Sequence, residues 1–218
     1  MKRRSILPFV MTLAACAVLD APLAQLERWQ KQHAQQDFMA IAAEPVVAAC
    51  SPGTGEACAR LHGLKAEACL ALAFAARAPG LACPAPGARE AGLLACAADA
   101  AQAAEKAAGE FQPAWRMIRG QARLCAIENL PPAMAAPEAL SLVQELSPLP
   151  DDHGALLRGR AALVAARPGA GSNAARCAAA RGAQAEASQG LTLQPNHPAL
   201  RRLRDDATAR AARIANCS

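Results

Sequence analysis

From residue 23 onward, apolar positions recur along this chain with the period of a helix. Ala, Leu, Glu, Gln and Arg, all strong helix formers, fill the segments 23–49, 56–77, 88–110, 113–128, 137–147, 153–166, 173–192 and 198–215. No stretch alternates apolar and polar residues as a half-buried strand would, so the pattern predicts an all-α chain. Pro and Gly cluster at the breaks, among them Ser51-Pro52-Gly53-Thr54-Gly55, Pro84-Ala85-Pro86-Gly87, Leu130-Pro131-Pro132, Ser147-Pro148-Leu149-Pro150 and Arg167-Pro168-Gly169. These connections are short, and short connections make consecutive helices pack antiparallel. Asp151-Asp152, Ser172-Asn173 and Asn196 are predicted helix starts, because their side-chain oxygens can accept from free first-turn amides.

The first residues follow a different pattern. Lys2, Arg3 and Arg4 precede an apolar run from Ile6 to Ala15 that ends in small residues, the arrangement of a secretory signal. That run is about half the length of roughly twenty residues that a membrane-crossing helix needs. Removing residues 1–15 leaves 20 basic against 18 acidic side chains, a balance too even for a nucleic-acid binder by bulk charge. The sign is nevertheless uneven: residues 16–152 carry 10 basic and 15 acidic side chains, and 153–218 carry 10 basic and 3 acidic. A mildly acidic body thus leads into a basic end.

Composition then raises a question of stability. Only 3% of residues are aromatic and none is Tyr, so the core is expected to consist of Ala, Leu and Val. Alanines bury little area each, and disulfides would compensate. Nine cysteines stand at 16, 50, 58, 69, 83, 96, 125, 177 and 217. Setting Cys16 aside leaves an even eight in a chain expected to be exported, where disulfides persist. None of the spacings suits a metal or covalent haem, and no cofactor is expected. A hairpin turning near Cys83 places Cys69 opposite Cys96, and the turn between Cys50 and Cys58 makes that pair a loop closure. Cys177 and Cys217 tie the last helix to the one before it, about six residues from the symmetric position, and Cys83 with Cys125 follows by elimination. Eight cysteines admit 105 pairings, and small thiols buried in an Ala-rich core are the open alternative.

Two resemblances sharpen this reading. Leu13-Ala14-Ala15-Cys16 resembles the lipobox of bacterial lipoproteins, which implies that Cys16 becomes the mature, lipid-bearing N-terminus. Residues 16–22 would then serve as a lipidated tether. The family's sorting rule turns on the next residue, and Ala17 there implies the outer membrane, facing the periplasm. The run Ala187-Ser188-Gln189-Gly190-Leu191-Thr192-Leu193-Gln194-Pro195-Asn196-His197-Pro198 resembles the junction between two tetratricopeptide repeats. Leu146–Gly159 gives a second echo, and Trp115-x-x-Ile118 followed by Gly120 a third. The resemblance covers 113–218, with a capping helix at the end, and it requires loops inserted at Pro131–Pro137 and Arg167–Asn173. Residues 23–110 show paired helices without the motif. The fold implied is a short, disulfide-stapled, tetratricopeptide-like solenoid of antiparallel helix pairs; a stapled helical bundle is the alternative.

In that family the first helix of each unit lines a concave groove that binds peptides. Carried over residue by residue, the groove positions are Arg116, Arg123, Arg160, Arg202 and Arg210, opposed by the simpler reading that these are solvated surface arginines. A guanidinium forks onto a carboxylate, so the implied partner is an acidic segment of an envelope protein. Catalytic patterns are missing from the sequence: it has no phosphate loop, no Gly-x-Ser-x-Gly and no His-Glu-x-x-His, and His33, His62, His153 and His197 are scattered. The expectation is a lipid-anchored scaffold or adaptor for an envelope complex and not an enzyme. Alternatives are a structural, disulfide-rich lipoprotein without a specific partner and, less favoured, an enzyme whose site carries no recognised motif. Nothing in the sequence sets an oligomeric state.

Overall fold

The computed structural model describes residues 9–51, 53–79 and 81–217. Much of the expected signal segment, and the side chain of Cys16 with its expected lipid attachment, lie outside the described residues. Among the described residues nine α-helices run in order: α1 Phe9–Ala34, α2 Phe38–Ala43, α3 Glu56–Ala75, α4 Ala88–Ala108, α5 Pro113–Glu128, α6 Pro132–Glu145, α7 Asp152–Ala165, α8 Asn173–Leu193 and α9 Pro198–Ala212. A single 3-10 turn, Ala48–Cys50, precedes α3, and the described residues include no strand.

Three segments depart from the expected boundaries. The segment 23–49 is two helices, because Gln36 adopts a left-handed φ of 59° and the Asp37 side chain accepts from the Ala40 amide at 3.3 Å, starting α2 afresh. Residues 16–22, expected as a tether, lie within α1. The insertion expected as a loop at Pro131–Pro137 is the first part of α6. Pro132 occupies the first helical turn, where no amide is needed. Pro137 leaves the Ala133 carbonyl without its helical donor, and Ala133 is exposed to solvent. The insertion at 167–173 is a true loop, with Gly169 and Gly171 at positive φ.

Each helix packs on its neighbours in sequence. α3 lies on α4, α4 on α5, α6 on α7, α7 on α8 and α8 on α9. A second set of contacts links alternate helices: α1 with α3, α3 with α5, α5 with α7 and α7 with α9. Two glycines, Gly63 and Gly159, sit where this second set is tight, and a third, Gly120, sits against the end of the next helix. The eighth residue of α3, α5 and α7 is Gly63, Gly120 and Gly159. A Cβ on Gly63 would stand 2.5 Å from Trp115 Nε1 of α5, and one on Gly159 would stand 2.6 Å from Leu203 Cδ2 of α9. A Cβ on Gly120 would meet Leu146 at the end of α6, also at 2.6 Å. Larger residues there would hold the helices apart.

The core is built in pieces along the chain. In the first half, Leu26, Trp29, Ile41 and Leu61 pack around the Cys50–Cys58 bridge. In the second, Leu124, Ile127, Leu142, Leu146, Leu149, Leu157 and Val164 form the largest cluster with alanines between them. Four disulfides join Cys50–Cys58, Cys69–Cys96, Cys83–Cys125 and Cys177–Cys217, the four pairs expected from spacing. The Cys69–Cys96 bridge crosses from α3 to α4 as an antiparallel hairpin requires. The offset of Cys177 from Cys217 is absorbed by the turn after α9, where Asn216 takes a φ of 62°. Each bridge contributes roughly 2–4 kcal/mol by restricting the unfolded chain.

Candidate functional site: an arginine cleft between α7 and α9

The close approach at Gly159 fixes α7 against α9 and leaves a cleft of about 320 Å³ beside the contact. Its apolar part is Leu156, Leu163 and Val164 of α7 with Ala199 and Leu203 of α9. Around it stand Arg160 and Arg167 from α7 and its end, and Arg202 and Arg210 from α9. Glu128, the last residue of α5, and Asp206 are the acids that line it, and Ala82 contributes from the loop between α3 and α4. Arg160 Nη2 donates to Glu128 Oε1 at 2.6 Å and to Cys83 Sγ at 3.2 Å. Arg167 Nη1 donates to the Glu128 carbonyl at 2.8 Å. Arg202 is exposed and Arg210 half-buried. Among the described residues neither makes an ion pair or a side-chain hydrogen bond. Two of the four guanidiniums are therefore available to an anion over an apolar floor.

The other two expected groove residues, Arg116 and Arg123, lie elsewhere and are occupied. Arg116 forks onto Glu105 of α4, Nε to Oε1 at 2.7 Å and Nη2 to Oε2 at 2.9 Å, and its Nη1 donates to the Glu145 carbonyl at 3.0 Å. Hydrogen bonding to Glu105 holds the Arg116 guanidinium above its ordinary pKa. Arg123 pairs with Glu145 and, at 3.3 Å, with Glu138 of α6. Arg119, absent from the expected set, completes the network at 2.9 Å from Glu145. The structure divides the five expected groove arginines between two places. Arg160, Arg202 and Arg210 converge on the cleft with Arg167, and Arg116 and Arg123 join α5 to α4 and α6. Spacing along one helix does not show which acids the flanking helices bring to it.

Other polar side chains have structural partners. Arg158 is buried, donating to Glu186 at 2.8 Å and to the Leu146 carbonyl at 3.1 Å. Glu44 accepts from Trp29 Nε1 at 2.9 Å and Gln25 Nε2 at 3.0 Å. The Trp29 bond, with those of Gln25 and Arg28, holds its carboxyl below the ordinary value against the opposing effect of burial. Lys65 donates to the Ala42 and Glu44 carbonyls at 3.1 and 2.6 Å, and burial lowers its pKa. Asp151 caps α7 through the Gly154 amide at 2.7 Å, and Ser172 caps α8 through the Ala175 amide at 3.2 Å. His197, not Asn196, starts α9, its Nδ1 accepting from the Leu200 amide at 3.4 Å. The fold also brings two of the scattered histidines to one carboxylate: Asp152 stands 3.3 Å from His153 Nδ1 and 3.8 Å from His197 Nε2. The described residues hold no group of three such side chains that could bind a metal ion, and no described helix is long and apolar enough to cross a membrane.

No family model, no curated protein and no solved structure matches the chain.

Proposed function

We propose that this protein is a lipid-anchored, helical-repeat adaptor that holds an acidic segment of a partner protein in the α7–α9 cleft during assembly of an envelope complex. The observation that carries the reading is the pair Arg202 and Arg210, which make no ion pair among the described residues, over the apolar floor of Leu156, Leu163 and Leu203, with Asp206 between them on α9. Such a surface suits a ligand that offers carboxylates and apolar side chains together. The tetratricopeptide-like part of the proposal draws support from the alternate-helix contacts and from glycine at the eighth residue of α3, α5 and α7. The anchor draws support from the signal-like N-terminus and Leu13-Ala14-Ala15-Cys16. With Ala17 next to that cysteine, the site of action is the periplasmic face of the outer membrane.

Cross-linking in cells carrying a C-terminally tagged copy, followed by purification from solubilised membranes, tests the adaptor reading. A partner at near-equal abundance is expected. It should be lost with Arg202→Glu and Arg210→Glu and kept with Arg89→Glu, a charge reversal at an exposed position on α4. Equal losses would reduce the cleft to bulk charge. Cys16→Ser should move the protein out of the membrane pellet, and persistence there after carbonate washing would refute the anchor.

The four bridges also favour a second reading, a structural envelope protein with no specific partner. Recovery of the protein alone would support it.

A further inference from the structure

The cleft has a wall that is not helical. The described residues 76–79 and 81–87, between α3 and α4, reach it through Ala82. Among the described residues, the backbone of this loop bonds only within itself and to the adjoining helix ends: Arg77 to the Phe74 carbonyl, Leu81 to the Ala78 carbonyl, and Ala91 of α4 to the Gly87 carbonyl. The covalent tie between the loop and the helices behind it is the Cys83–Cys125 bridge, which crosses to α5. Cys83 is half-buried and Cys125 fully buried. The sulfur of Cys83 accepts a hydrogen bond from Arg160, itself a cleft residue also held by Glu128. One guanidinium therefore touches both the ligand cleft and the disulfide that holds its wall.

We propose that the Cys83–Cys125 bridge is a redox gate on the arginine cleft, opened by a dithiol reductant, and that its opening weakens the binding of acidic ligands. The proposal rests on the reading of the cleft as a binding site for such ligands.

The exchange balances as follows. A thiolate of the dithiol attacks Cys83 Sγ, the sulfur on the loop; the Cys83–Cys125 bond breaks and Cys125 leaves as a thiolate that takes a proton. The second thiol of the reductant, deprotonated, attacks its own sulfur in the mixed disulfide and closes a ring. Cys83 then departs as a thiolate beside Arg160. Two electrons pass from the dithiol to the protein disulfide, and the dithiol becomes a cyclic disulfide. Arg160 beside Cys83 draws the incoming thiolate anion to that sulfur, which speeds the opening step, and then stabilises Cys83 as it departs in the second step. Opening then acts on the cleft in two ways of the same sign. The loop bearing Ala82 loses its tether, so the wall is free to withdraw. The new thiolate also sets a negative charge against Arg160, opposing an incoming carboxylate.

The test uses the full chain in detergent and a dye-labelled peptide of alternating leucine and glutamate, with binding read by fluorescence anisotropy. Dithiothreitol is raised stepwise, and the state of each bridge is assigned by differential alkylation and peptide mass. Cys83–Cys125 should open ahead of Cys50–Cys58, both of whose cysteines are buried. Peptide affinity should fall in step with it by about fivefold or more, the range of ordinary site coupling. In Arg160→Gln the opening of this bridge should slow several-fold while the other three keep their rates, and Arg160→Lys should restore it. Unchanged affinity with the bridge open, or opening unaffected by Arg160→Gln, would overturn the gate and leave the cleft intact as a binding site. Failure of the fully oxidised protein to bind the peptide would instead overturn the binding reading, and the gate with it. The double variant Cys83→Ser, Cys125→Ser separates the two effects: it frees the loop without a thiolate and should lose only part of the affinity.

Discussion

The arginines of α5 and the two that α9 brings to the cleft, Arg202 and Arg210, are alike in sequence and opposite in circumstance. Arg116, Arg119 and Arg123 stand on an α-helix flanked by Glu105 on α4 and by Glu138 and Glu145 on α6, and all three side chains end on those carboxylates. Arg202 and Arg210 stand on α9, which has α8 and α7 as its packing partners and lies in the part of the chain where acids are scarcest. The first set joins helices. The second makes no ion pair among the described residues. What separates a paired arginine from an unpaired one here is the acid content of the neighbouring helices, not the residue or its spacing.

The largest expected effect is at the hub of the first set. Glu145→Gln leaves Arg119 and Arg123 short of a counter-charge where all three side chains are largely shielded, Glu145 16% exposed and the arginines 19% and 24%. It should cost about 2 kcal/mol, below the 3–5 kcal/mol of a fully buried pair because water reaches the site. Urea unfolding measures this, and a loss under about 0.5 kcal/mol would mean the network is only a surface arrangement. Next comes Gly159→Ala, whose new Cβ would meet Leu203 Cδ2. It should cost about 1–2 kcal/mol by overpacking and lower peptide binding as well, because the same contact shapes the cleft.

The second set should respond in the reverse way. Arg202→Glu with Arg210→Glu should leave stability within about 0.5 kcal/mol and weaken binding of an acidic peptide by about tenfold or more, equivalent to about 1.4 kcal/mol. A stability loss matching that of Glu145→Gln would erase the distinction between the two regions.

The smallest effect is with pH and belongs to the first half of the chain. Burial holds His62 below its ordinary 6.5, and hydrogen bonding, led by Trp29, holds Glu44 below 4.5. In both cases the unfolded chain binds the proton more readily. Their contribution is complete above those values and is lost as pH falls, first through 6.5 for His62 and then through 4.5 for Glu44. Urea midpoints measured from pH 8 to pH 4 should fall with acid, and His62→Gln should flatten the upper step.

Legibility differed between the fold and the site. Helix type was readable because Ala, Leu, Glu and Arg recur without alternation; hairpin symmetry pointed to Cys69–Cys96, whereas Cys83–Cys125 came only by elimination and Cys177–Cys217 stood off the symmetric position. The start of α6 was misjudged: the repeat spacing demanded an inserted loop at Pro131–Pro137, yet a proline near a helix N-terminus removes only one bond, and the helix begins at Pro132. The break at Gln36 had no Pro or Gly to announce it, and the only local signal was Asp37 as a cap. Gly63 belonged with Gly120 and Gly159, but its place as an eighth residue is visible only once the helix starts are known. Of the cleft, Arg160, Arg202 and Arg210 were visible as helix-face positions. Arg167 was not, because it lies past the end of α7 and reaches the cleft through the loop that follows.

By itself, the sequence determined that the chain is helical, where most turns lie and that its core is alanine-rich; it only ranked the cysteine pairs that the structure then fixed. These follow from propensity, from Pro and Gly, and from distances counted along one or two helices, all of them local. Only the tertiary structure decided which arginines are neutralised, that Arg160 meets both Glu128 and Cys83, and that a loop residue from between α3 and α4 walls a cleft between α7 and α9. Those contacts join residues as many as 77 positions apart, and they depend on how closely helices approach at single glycines, which no local pattern encodes.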